Sequence, residues 1–220
     1  MSCEWFETEN IRPTRAGDVT RDGWESKTNP TFVDPSSGHR IKVLSRAAVD
    51  DAADEPYKTC VASRLGVGPE VYSTYNTPTA TYLVMQNMEE GDLEEMLDKS
   101  REQGFELDAE MDDALVELFE AFERTKEPLC HEDLHMNNVA FSRTPEGALF
   151  ARAIDWGISS LRKDCRVRGF RALMSDIPRR RLPKFYAVLK ENHVDAADTP
   201  IKERPEGSSH ADAMAPRTLF

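Results

Sequence analysis

The stretch from Leu129 to Gly157 constrains the fold of this chain more than any other. A polar run, His131-Glu132-Asp133-Leu134-His135-Met136-Asn137, leads into the apolar Asn138-Val139-Ala140-Phe141. A turn follows at Thr144-Pro145-Glu146-Gly147, and then Leu149 to Ile154 delivers Asp155-Trp156-Gly157. Two short apolar strands about a turn of Pro and Gly read as a hairpin. An Asp and an Asn five residues apart thus lie on the loop that enters the hairpin, and a further Asp stands where the chain leaves it.

Phosphoryl transfer from a nucleotide needs such a set. One carboxylate must orient or deprotonate the accepting hydroxyl, while an Asp and an Asn hold the metal ions that bridge the phosphates. Oxygen donors suit that hard cation. The glycine after the second Asp lets the chain turn sharply as it leaves the strand. A competing reading makes the two histidines core or metal-site residues and the aspartates turn caps.

HEDLHMNN resembles the HRDLxxxxN catalytic loop of the protein kinase superfamily, and AIDWG resembles its DFG motif. The resemblance implies that Asp133 is the catalytic base and that His131 is the buried histidine orienting the loop. It also implies Asn138 and Asp155 as ligands of magnesium (or manganese), with ATP as co-substrate. His135 stands where Ser/Thr kinases usually have Lys, and DLH is more typical of aminoglycoside-phosphotransferase-like kinases. Glu132 replaces the Arg that often clamps a phosphorylated activation loop.

The resemblance extends over about residues 39–160. Ile41-Lys42-Val43-Leu44 is similar to the third strand of the small lobe, which gives Lys42 the α- and β-phosphates. Thr81 to Leu97, TYLVMQNMEEGDLEEML, is similar to the hinge. Met85 is then the gatekeeper, the backbone of Gln86 and Met88 meets the adenine edge, and Asp92 reaches the ribose. The helix glutamate that pairs with Lys42 in this family has one candidate, Glu55, although its usual place falls nearer Lys58. No GxGxxG loop precedes Lys42, and no APE motif follows Gly157.

Elsewhere the sequence predicts helices over 54–64, from Gly91-Asp92 through Leu97, over 108–126 with Asp108 as its cap, and over 183–193. Strands are expected at 39–44, 71–72 and 80–85, and residues 1–38 read as polar and turn-rich. The expected fold is α+β, a two-lobed kinase-like fold with a small β-rich N-lobe (1–88), an abbreviated helical C-lobe (89–194) and a flexible tail (195–220).

Composition excludes several classes. The net charge of −12 argues against general nucleic-acid binding, because a phosphate backbone repels an acidic surface. No apolar run reaches membrane-spanning length, and the first residues lack a secretory pattern, so an intracellular protein, cytoplasmic or nuclear, is expected. The four cysteines form no CxxC pair, which points to reduced thiols. Acidic residues crowd 89–127, whereas 162–184 is basic and could face an acidic substrate, a partner, or that acidic face.

The expected function is that of a compact serine/threonine-type protein kinase. A small-molecule kinase of the aminoglycoside or choline type and a pseudokinase acting as a binding module are the alternatives. Chains this short resemble compact kinases of large DNA viruses or bacterial effectors, which work within an infected host cell.

Overall fold

In the computed structural model, residues 3, 30–45, 54–77, 80–125, 129–160, 166–192 and 194 are described. They form a mixed α+β fold with antiparallel sheets and, among the described residues, five helices. The predicted tail, 195–220, lies outside them.

The first sheet has four strands in the order β1-β2-β4-β3. Strands β1 (Thr31–Val33) and β2 (Arg40–Ser45) form a hairpin, and β2 pairs with β4 (Ala80–Met85), which also pairs with β3 (Val71–Asn76). The β1–β2 turn is tied by Asp34, whose carboxylate accepts from the Ser36 backbone N–H and the Ser37 hydroxyl at 3.1 and 2.7 Å. The short strand β1 was not expected from a segment so rich in turn formers.

Helix α1 (Glu55–Arg64) crosses between β2 and β3. Asp54 occupies its N-cap without a side-chain hydrogen bond, and Pro56 sits in the first turn, where a missing N–H costs nothing. Helix α2 (Leu93–Gln103) starts with a capping box: Asp92 accepts from the Glu95 N–H while the Glu95 side chain reaches back to the Asp92 N–H. Helix α3 runs over Glu106–Arg124, two residues earlier at each end than predicted, so Asp108 lies inside its first turn. Its carboxylate is therefore no cap; it binds Ser100 and Arg181.

The predicted hairpin is present as β7 (Val139–Arg143) and β8 (Leu149–Ala153). Gly147 adopts φ +91°, a left-handed conformation that favours glycine, and its N–H closes the turn onto Thr144. A two-residue strand, β5 (Gly91–Asp92), joins β7, and β6 (Cys130–His131) pairs with β9 (Ser159–Ser160).

The last two helices, α4 (Arg166–Asp176) and α5 (Pro183–Glu191), cover the core. The apolar face of α3 (Met111, Leu115, Leu118, Phe119, Phe122) packs with Trp156, Phe170 and Phe185. Phe170 meets Phe119 and Phe122 edge-on, at 5.0 and 5.2 Å between ring centroids. Each such ring contributes roughly 1.5–3 kcal/mol through burial.

The cysteine expectation is corrected. Cys3 is disulfide-bonded to Cys60 of α1, with Cα atoms 5.8 Å apart, and Cys130 is disulfide-bonded as well. The partners lie far apart in sequence, so no spacing motif announces the bond. Among the described residues, no helix is long and apolar enough to cross a membrane.

Candidate functional site

Strand β2 alternates, so Ile41 turns into the core while Lys42 faces a cavity of about 380 Å³. Met85, Gln86, Met88, Asp92, Asn138 and Asp155 share that cavity with it. The sheet, the start of α2 and the far ends of the β7–β8 hairpin thereby bring together residues more than a hundred positions apart.

At one end lies a buried charge cluster. Lys42 Nζ is 2.6 Å from Glu55 Oε1 and 2.8 Å from Asp155 Oδ1. Glu55 is the first residue of α1, and its position brings the carboxylate to the lysine. Lys58, one turn further on, donates instead to the Gly157 carbonyl at 3.2 Å.

Burial works against the Lys42 ammonium, but the two carboxylates outweigh it and hold its pKa above the ordinary lysine value. Burial pushes the Glu55 carboxyl up, and the pull of Lys42 does not fully offset it. Burial would raise Asp155 too, yet there Lys42 wins and the carboxyl is held below the usual range. One cation thus serves two carboxylates, and Glu55 is the carboxyl that protonates first on acidification.

Asp155 also carries backbone strain. Its φ is +59°, and among the described residues no other non-glycine has a positive φ. Such strain persists where the surroundings over-determine it, commonly at functional sites. Trp156, fully buried beside it, anchors the turn by donating from Nε1 to the Ala153 carbonyl at 2.8 Å.

The loop opposite is held from below. His131 Nε2 is 2.7 Å from the Ile154 carbonyl, and its ring meets Trp156 edge-on at 4.7 Å. Burial holds its pKa below the ordinary value, so the ring is neutral and Nε2 carries the donating proton. Helix α4 lies so close that a Cβ at Gly169 would come within 2.7 Å of the His131 carbonyl oxygen. The Glu132 N–H donates to the Ile158 carbonyl at 3.1 Å, and its side chain accepts from the Ser160 hydroxyl.

Asn138 is buried, and its amide N–H donates to the Asp133 carbonyl at 2.8 Å, which leaves Oδ1 as the acceptor facing the cavity. The oxygens of Asn138 and Asp155 are therefore the donors that could hold a hard cation. Asp133 lies outside the cavity wall with its side chain half exposed, 3.8 Å from His135 Nε2.

Asp92 lines the cavity, but both of its oxygens already have partners, the Glu95 N–H and the Asn137 amide at 2.9 and 3.1 Å. At Gln86 the backbone N–H donates to the Glu70 carbonyl, and at Met88 the carbonyl accepts from Gly91. Among the described residues, the Gln86 carbonyl and the Met88 N–H have no backbone hydrogen-bond partner.

Two residues went unnoticed in the sequence. Asn137 ties the loop to α2 by donating to both Asp92 and Glu94, and Arg40 lines the cavity two residues before Lys42. Same-face alternation on the strand could have flagged Arg40. The basic segment is partly spoken for: Arg181 pairs with Asp108, Lys184 with Asp113, and Arg179 lies over the Tyr186 ring.

No protein-family model matches the chain, and no curated protein matches its sequence.

Proposed function

We propose that the chain is a compact ATP-dependent phosphotransferase with a two-lobed, kinase-like arrangement, acting as a serine/threonine-type protein kinase. The observation that carries this reading is the Lys42–Glu55–Asp155 cluster on a cavity that also holds Asn138. A site with one cation and two carboxylates has a surplus negative charge, and a divalent cation would balance it. Asn138 and Asp155 would hold that ion through their side-chain oxygens, the donor type that magnesium prefers. Bound there, it would supply charge neutralisation to the phosphates.

The chain's own residues divide the remaining work. Lys42, fixed by Glu55, binds the α- and β-phosphates. Asp133 accepts the proton of the substrate hydroxyl as its oxygen bonds to the γ-phosphorus. The bond from that phosphorus to the β–γ bridging oxygen breaks, and ADP departs with the electron pair. His131, neutral and wedged under the loop, keeps Asp133 and Asn138 in place.

Labelled-phosphate transfer from Mg-ATP to a generic protein substrate tests the proposal. Asp133→Asn and Asp155→Asn should each lower transfer by about 10²-fold or more. A wild type that transfers nothing and shows no nucleotide-dependent thermal shift would sink the reading. Transfer to an aminoglycoside or choline but not to protein would replace it with small-molecule chemistry.

A further inference from the structure

A second cavity, of about 450 Å³, lies where α1, β3 and β8 meet, and none of Lys42, Glu55, Asn138 and Asp155 lines it. That volume is in the range of small-molecule sites. Strand β8 alternates, so Ala151 and Ala153 enter the core while Phe150 and Arg152 turn to this cavity. The Arg152 guanidinium lies over the Phe150 ring, 4.7 Å from its centroid. Tyr57 of α1, 45% exposed, adds a second aromatic wall. Two polar groups of the lining lack the partners that burial calls for. Arg152 is only partly exposed, yet its one hydrogen bond among the described residues runs from Nη1 to the Ala151 carbonyl at 2.8 Å, and no carboxylate there forms an ion pair with it. Burial accordingly holds its pKa below the ordinary arginine value, and Glu117, acting from beyond ion-pair distance, offsets only part of this. Ser73 of β3 is 6% exposed, and its Oγ has no hydrogen-bond partner among the described residues. Such groups are costly to bury alone.

We infer that this cavity binds a small aromatic acid: its carboxylate pairs with Arg152, its ring rests against Phe150 and Tyr57, and Ser73 supplies a further hydrogen bond. With Nη1 engaged, Nε and Nη2 of Arg152 remain as the parallel donors that a carboxylate takes. Arg64 and Glu70, also of the lining, cancel in charge, so the cavity carries one net positive charge and suits a monoanion. The aromatic walls give the body of the ligand an apolar surface to cover. Binding here does not depend on the proposed phosphotransfer.

Ligand-observed NMR titration of the full chain with phenylacetate, phenylacetamide and acetate tests this. Wild type should bind phenylacetate about tenfold more tightly than either of the others, since the amide lacks the charge and acetate lacks the ring. Arg152→Gln should remove the preference for the acid over the amide. Ser73→Ala loses no hydrogen bond of the free protein among the described residues, so it should melt no lower than wild type while binding phenylacetate about fivefold more weakly. Equal binding of phenylacetate and phenylacetamide by wild type overturns the inference, as does no binding of phenylacetate at millimolar concentration. So does wild-type affinity for phenylacetate in either variant, or acetate bound as tightly as phenylacetate, which would leave Arg152 a general anion contact.

Discussion

Two ion pairs in this molecule look alike in distance and differ in balance. In the helical part, Arg181 grips Asp108 with two parallel hydrogen bonds, 2.8 and 2.5 Å, and Ser100 completes the carboxylate. One positive charge meets one negative charge, and no described non-glycine residue beside them has a positive φ. At the cleft, one lysine is shared by two carboxylates, one of which sits on a left-handed aspartate. The first arrangement balances its charge internally, with Arg181 Nη1 the one guanidinium nitrogen left without a hydrogen-bond partner among the described residues. The second carries surplus charge and strain, which is how a site differs from a brace.

The largest expected effect comes from removing the brace. Arg181→Ala leaves the Asp108 carboxylate in a site only a tenth exposed, and breaking a buried pair in this way costs roughly 3–5 kcal/mol. For a chain of this size the thermal midpoint should fall by on the order of 10 °C, with nucleotide affinity at low temperature unchanged. A stable variant with lost affinity would break the comparison, since the pair would then act on the cleft.

Acidification should sharpen it by a few degrees of midpoint. Ser100 and Arg181 overcome burial and hold Asp108 below the ordinary aspartate value of 3.8. Its contribution is present above that value and lost as pH falls through the lowered folded pKa. Glu55 runs the other way: its folded pKa is raised above 4.5, so taking up a proton there adds stability as pH falls. Melts from neutral to strongly acid pH should show the acid-side loss diminished in Asp108→Asn and the earlier gain removed in Glu55→Gln. Identical profiles in both variants would mean that the two clusters are not distinct.

The smallest effect is expected at the loop's rim. Glu132 is exposed, and Glu132→Ala should change stability by no more than about 0.5 kcal/mol in chemical denaturation. A larger loss would show the Glu132–Ser160 contact to be a further brace.

Much of this geometry could be read from the sequence where period and turn chemistry agreed. The 80–85 strand, the Asp92 helix start and the hairpin after Asn138 were legible because each joins an apolar pattern to a specific turn or cap. Where a residue's partner lies far along the chain, local pattern was silent. Asp108 has the type and position of a cap, yet its partner is 73 residues away. Glu55 looked too early in its helix, since nothing local shows how α1 is turned towards β2. The Cys3–Cys60 bond, across 57 positions, was invisible for the same reason.

Asp112 of α3 accepts from the backbone N–H groups of Lys184 and Phe185 at 2.8 and 2.7 Å, so the first turn of α5 is finished by another helix. Separated from α3, α5 would open with orphan amides, and at nine residues it is too short to persist alone. The two helices are therefore expected to share one opening event, their protected amides exchanging with solvent together, as a single cooperative unit that includes the covering of the aromatic core.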